Sequence, residues 1–151
     1  VIKDFNDISE TTKLELSCDE IGDIDIHFIP YSEFSKIEPK YVSGNMGFFT
    51  WDNTRDCRIY HGRILIDNQT IDSTFRCHLI REELTQSLGL GNDAKKESPY
   101  KDSIFFGEGG RSTTYYSDID KKLIQMMYSK NLPFCANSEE VDNYFGGQNN
   151  M

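Results

Sequence analysis

Between positions 72 and 89 the sequence writes one helix with both ends marked. Asp72 and Ser73 are good N-caps, because a short oxygen-bearing side chain accepts a hydrogen bond from the free N–H groups of a first turn. Gly89 is a natural stop, because the residue closing a helix often takes a left-handed backbone that glycine adopts without steric cost. At about 100° per residue, Leu79, Ile80, Leu84 and Leu88 share one arc, the side that faces a core. Glu83 falls inside this arc and Glu82 and Gln86 lie on its edge, whereas His78, Arg81 and Thr85 point toward the opposite, solvated side. A carboxylate at the core border must be paired, neutralised or turned into a cleft, since it has lost the water that stabilises its charge.

Upstream of this helix the pattern changes to period two. KLELS at 13–17 and DIDIHFIP at 23–30 alternate apolar and polar residues and read as half-buried strands, the second stopped by Pro30. YSEFSKI at 31–37 reads as a short helix before Pro39. GFFTW at 47–51 and CRIYHGRILID at 57–67 are two further strands, and the polar DNTRD between them predicts a hairpin. In the second of these, Ile64 and Ile66 face one way and Leu65 the other. His27 and His61 fall inside strand patterns and read as structural; Phe48, Phe49 and Trp51 read as core or cleft wall.

Downstream, residues 91–114 read as a loop of a length that is uncommon in compact domains and often functional. Ser117 caps a second helix, with Asp118 and Asp120 in its first turn and an apolar stripe of Ile119, Leu123, Ile124, Met127 and Tyr128. This helix is expected to end at Asn131, Leu132 and Pro133. The domain is expected over 1–135, followed by a flexible polar tail over 136–151.

Composition removes several classes of function. The net charge is −9 and the lysine pairs Lys95–Lys96 and Lys121–Lys122 stand alone, so there is no basic stripe for a nucleic-acid partner. No apolar run reaches the length of a membrane span. VIKDFNDISE is not a signal peptide, so the chain is expected to be cytosolic or to represent mature residues after processing. Cys18, Cys57, Cys77 and Cys135 are widely spaced and form no CxxC, which favours two disulfides in an oxidising compartment over a zinc-binding quartet. No GxSxG marks a serine nucleophile.

EELTQSLGLGN at 82–92 resembles, in frame only, the HExxHxxGxxH helix of zinc peptidases. In that frame Glu82, Gln86 and Asn92 take the three ligand positions, Glu83 the general-base position and Gly89 the turn, and all three histidines are missing. SIFF at 103–106 and YSDIDKKLIQMMY at 116–128 resemble the Met-turn and last helix of metzincins of the matrixin kind, with Phe105 where the methionine stands. Cys77, Glu82, Glu83, Gln86, Leu88, Gly89, Leu90, Asn92 and Asp93, followed by Ser103, Ile104 and Phe105, resemble the pattern of an uncharacterised bacterial family of secreted proteins and lipoproteins. The resemblance implies an α+β, metzincin/zincin-like single domain: a small mixed sheet, an active-site helix and a C-terminal helix. It also implies export, to the outside or the periplasm, with a signal or lipoprotein anchor outside this chain. The packing of those two helices would pair Cys77 with Cys135 and leave Cys18 with Cys57.

Zinc prefers imidazole and thiolate, so a site of Glu, Gln and Asn is expected to hold no metal and no other cofactor. Two adjacent carboxyls at a core border repel, so one is expected to keep its proton. The first functional expectation is a secreted, atypical peptidase-like hydrolase acting on a peptide laid along the sheet edge. Glu83 is its acid/base with Glu82 beside it, and Gln86, Asn92, Asp93 and Phe105 bind or orient the substrate. The alternative is a catalytically inactive module that binds an extracellular protein or peptide.

Overall fold

Strands form where Ile, Phe and Tyr concentrate: β1 (Ile24–Ile29), β2 (Gly47–Asn53) and β3 (Ile59–Asp67). The computed structural model describes residues 1–9, 16–17, 21–93, 100–106, 113–129 and 132–146, and orders the strands β1-β3-β2. The sheet is mixed. β3 runs parallel to β1, with Ile26 opposite Ile64, and antiparallel to β2, with Phe49 opposite Ile64. The expected hairpin forms, closed where the Thr54 N–H donates to the Arg58 carbonyl at 2.9 Å.

A central strand is covered on both faces, and Ile64, Leu65 and Ile66 are all fully buried. On one face Ile64 and Ile66 pack with Leu79 and Leu84 of α3 (Ser73–Ser87). On the other, Leu65 lies opposite Phe48, whose ring sits 5.5 Å from Tyr41; Tyr41 in turn reaches Phe34 of α2 (Phe34–Ile37) at 5.1 Å. α2 follows a 3-10 turn at Tyr31–Glu33, together the short helix expected before Pro39. Asp67 closes β3: its buried carboxylate accepts from the N–H groups of Tyr31 at 3.0 Å and Thr70 at 2.7 Å.

α3 has the ends its sequence predicts. The Asp72 side chain accepts from the Phe75 N–H at 2.8 Å, and Gly89, just past the helix, has φ of 119°. α4 (Asp118–Met127) is capped by Ser117 in a reciprocal box: the Ser117 N–H donates to Asp120 at 2.8 Å and the Asp120 N–H to the Ser117 hydroxyl at 3.3 Å. It stops at Tyr128, earlier than expected, where the phenol hydroxyl donates to the Leu88 carbonyl at the end of α3.

Two helices go beyond the sequence expectation. α1 (Ile2–Ser9) buries Phe5 and Ile8 in a second core with Ile104, Phe105, Tyr116 and Ile124. α5 (Ser138–Gly146) lies within the stretch read as a polar tail, its start fixed by Asn137, whose side chain accepts from the Glu140 N–H at 3.0 Å. Of the KLELS strand, residues 13–15 fall outside the described residues, and Leu16 and Ser17 belong to no strand. The Asn6 side chain satisfies the Leu16 backbone, donating to its carbonyl and accepting from its N–H, both at 2.7 Å.

The second core corrects the view of α3 as half-solvated. His78, Arg81 and Thr85 are 4%, 5% and 0% exposed, because α1, α4 and residues 103–106 and 113–116 cover the side away from the sheet. The Arg81 guanidinium bonds the Asp4 carboxylate of α1 and the Thr114 carbonyl, and lies 5.1 Å from the centre of the Tyr116 ring. The Thr85 hydroxyl donates to the Arg81 carbonyl at 2.7 Å and lies 2.9 Å from the Tyr116 hydroxyl.

The disulfide joins Cys57 to Cys135, tying the β2–β3 turn to the segment after α4. This overturns both expected pairings. Cys77 is an exposed free thiol near the start of α3, and Cys135 lies instead beside the hairpin, where the Arg58 guanidinium stacks 4.8 Å over Phe134. Cys18 lies outside the described residues. A link across 78 residues constrains the unfolded chain by roughly 4 kcal/mol. Cys57→Ser is therefore expected to lower the urea midpoint strongly and Cys77→Ser to leave it within about 0.5 kcal/mol of the parent. Equal losses in the two variants would contradict this pairing.

Candidate functional site

A cavity of about 500 Å³ opens between α3 and the start of β2. His78, Leu79, Glu82, Glu83 and Gln86 form the helical wall. Residues 44–49 form the wall opposite, and Gly91, Asn92, Asp93, Phe75 and Phe106 close the ends.

Glu83 is the centre of this arrangement. It is 6% exposed, and its carboxyl makes no hydrogen bond among the described residues. Gly47 is what lets the strand come so close: a Cβ there would stand 2.4 Å from Glu83 Oε1 and 3.0 Å from Leu79. Burial first, then the neighbouring carboxylates of Glu82 and Asp93, lift the Glu83 carboxyl well above the ordinary glutamate value.

Its neighbours on the helix are engaged. Glu82 Oε2 lies 3.3 Å from His78 Nε2, one turn back along α3. His78 Nδ1 donates to the Thr113 carbonyl at 2.9 Å, since a carbonyl only accepts. Burial alone would hold the imidazolium down, but the hydrogen bond and charge of Glu82 outweigh it and raise the His78 pKa. The Phe75 ring stacks on the imidazole with centroids 6.0 Å apart. The Gln86 amide donates to Asp93 Oδ1 at 2.8 Å.

That last bond closes a loop that begins at Gly89. With φ of 119°, Gly89 turns the chain sharply, and residues 91–93 fold back beside the helix. Gly91 lies flat on Trp51, where a Cβ would stand 2.4 Å from the indole; Trp51 stacks on Phe49 at 5.2 Å. The aromatic run of β2 is thus both cavity wall and platform for the returning loop.

Five of the six site residues expected from sequence therefore meet at one cavity: Glu82, Glu83, Gln86, Asn92 and Asp93. Phe105 does not. It is 3% exposed, locked in the second core beside Ile104, and Phe106 faces the cavity in its place. Asp120 sets this turn, accepting from the Ser103 hydroxyl at 2.5 Å and from the Ile104 N–H at 3.2 Å. Gly47 and Phe106 are cavity residues that sequence reasoning missed, and His78, read from sequence as lying toward the solvated side, joins them. His78 carried a signal, its spacing of four from Glu82; Gly47 and Phe106 carried none. Among the described residues, no group of three or more His, Cys, Asp and Glu side chains is placed to hold a metal ion.

Fold and site together define an α+β domain with a carboxyl-lined cleft between its central helix and an edge strand. The chain belongs to the family described as Protein of unknown function (DUF2927), whose model matches residues 1–146. Comparison with curated proteins and with solved structures gives no match. Among the described residues, no helix is long and apolar enough to cross a membrane.

A raised carboxyl pKa has a thermodynamic signature. The unfolded chain releases the Glu83 proton near the ordinary value of 4.5, whereas the folded chain keeps it to higher pH. The contribution of Glu83 to stability is therefore fully present below about 4.5 and is lost as pH rises from there toward the folded value. His78, also raised, contributes stability that is present below its unfolded value of 6.5 and lost as pH rises through its folded one, so it bends the curve the same way. Subtraction separates the two. Glu83→Gln should gain stability relative to the parent as pH rises above about 4.5, in urea unfolding followed across pH. Parallel curves for the two proteins would contradict a buried, protonated Glu83.

Proposed function

We propose that this chain is an atypical, zincin-like hydrolase, exported from the cell, that cleaves a peptide seated along the free edge of β2. The observation that carries the reading is Glu83, a buried carboxyl without a hydrogen-bond partner among the described residues, facing a cavity beside that edge. β2 pairs with β3 alone among the described residues, so its other edge is available for strand addition by an extended peptide. The zincin-like frame is supported by the Glu82–Gln86 spacing, the Gly89 turn and the return of Asp93 onto Gln86. Export is supported by the Cys57–Cys135 disulfide.

The two glutamates divide the chemistry because their surroundings separate them. Glu82, with His78 Nε2 3.3 Å away, takes a proton from the attacking water, and the water oxygen adds to the amide carbon. Glu83, holding its proton, donates it to the amide nitrogen as the C–N bond breaks. Transfer of the proton from Glu82 to Glu83 then restores the starting state. Glu83→Gln and Glu82→Gln should each lower kcat by about 10²-fold or more on a peptide library cleaved by the parent, with folding verified by circular dichroism. A parent that cleaves nothing, or variants that cleave as fast as it does, would rule the hydrolase out.

One observation favours a second reading. Glu82 and Gln86 are already bonded to His78 and Asp93 instead of standing open to the cavity. That suits an inactive module that binds a peptide, and peptide binding without turnover is its signature.

A further inference from the structure

The charge of the cavity lining is one-sided. Glu82, Glu83 and Asp93 all line it, and among the described residues no lysine or arginine does. Among the described residues His78 is the one basic side chain there, and it is paired with Glu82. Asp93 takes a hydrogen bond from the neutral Gln86 amide, and no cationic side chain pairs with it among the described residues. Glu83, nine-tenths buried, lines the same space, and its carboxyl has no hydrogen-bond partner among the described residues. The remaining lining includes the aromatic side chains of Phe49, Phe75 and Phe106. Carboxyl oxygens set among aromatic side chains are a receptor for an organic cation, drawn by charge at one end and by ring faces along its stem. At about 500 Å³ the space is in the size range of small-ligand sites. The net charge of −9 adds a field that attracts cations and repels acidic ligands.

We propose that this cavity is a cation subsite, which takes the ammonium or guanidinium of a basic residue of the bound peptide between Glu83 and Asp93. The peptide part of this statement rests on the second reading above, peptide binding without turnover, in which Glu83 gives up its proton as the cation arrives; the cation part rests on the lining alone. The arriving cation supplies Glu83 with the partner it lacks and gives Asp93 its counter-charge. An acidic group would meet three carboxyls, and a neutral one would leave Asp93 uncompensated.

Titration calorimetry with one peptide scaffold tests this. Each peptide is blocked at both ends and differs at one position: lysine, arginine, Nε-acetyl-lysine, norleucine or glutamate. A norleucine peptide with a free N-terminus tests the terminal ammonium as the source of the cation, and 1,5-diaminopentane tests the cation without a peptide. The lysine or arginine peptide is expected to bind about 30-fold or more tightly than the acetyl-lysine and norleucine peptides. That ratio should shrink toward one in Glu83→Gln and in Asp93→Asn, the latter keeping an oxygen for the Gln86 amide. Equal affinity for charged and neutral peptides would overturn the cation subsite and leave the peptide cleft standing. Binding of 1,5-diaminopentane but of no peptide would keep the subsite and overturn the peptide reading. No binding of any probe would overturn both. If either variant fails to fold, the lysine against acetyl-lysine comparison on the parent decides alone.

Discussion

A helix buried on every side must find a partner for each polar group it carries, because water no longer supplies one. From His78 to Ser87, α3 approaches such a helix, with the sheet on one flank and the α1–α4 core on the other. Arg81 is answered by Asp4, the Thr114 carbonyl and the Tyr116 ring; Thr85 by Tyr116; Glu82 by His78; Gln86 by Asp93; Ser87 by the Leu84 carbonyl. These bonds reach α1, the stretch before α4 and the returning loop, so satisfying one helix assembles the domain. Among the described residues the Glu83 carboxyl has no such partner, and it stands where the cavity opens.

An unpaired carboxylate in such a place costs several kcal/mol, and keeping the proton is the cheaper state. The surroundings reinforce that choice, since Glu82 and Asp93 add like charge and Gly47 brings the strand close enough to exclude solvent. Glu82, the residue before it, has a different setting, with His78 Nε2 3.3 Å from its Oε2. Adjacent residues of one type are thereby given different surroundings, the condition for acid–base work.

The local signals were legible in the sequence and the long-range ones were not. Asp72, Gly89 and Ser117 mark helix ends through bonds made within a few residues, and each stands where it was expected. The hairpin follows from DNTRD, and the opposite faces of Ile64 and Leu65 from strand periodicity. The wheel misplaces His78, Arg81 and Thr85 because it assumes one covered side, and the second cover comes from α1, whose Asp4 stands 77 residues before Arg81. Phe5 and Ile8 of α1 did carry a helical spacing, masked by the polar residues between them. Phe105 and Phe106 are adjacent and alike, and only the anchoring of Ser103 and Ile104 to Asp120 decides which enters the core. The cysteine pairing depends on where the chain after α4 meets the hairpin, which spacing does not encode.

The central claim is that Glu83 stays protonated while facing an open cavity. Carboxyl carbon chemical shifts of the folded protein, labelled at glutamate and followed across pH, read this directly, with Glu83→Gln identifying the resonance. The account predicts that the Glu83 signal titrates well above the ordinary value of 4.5. A Glu83 signal that titrates at or below that value would contradict it, and would mean that an ionised carboxylate is stabilised in the cavity.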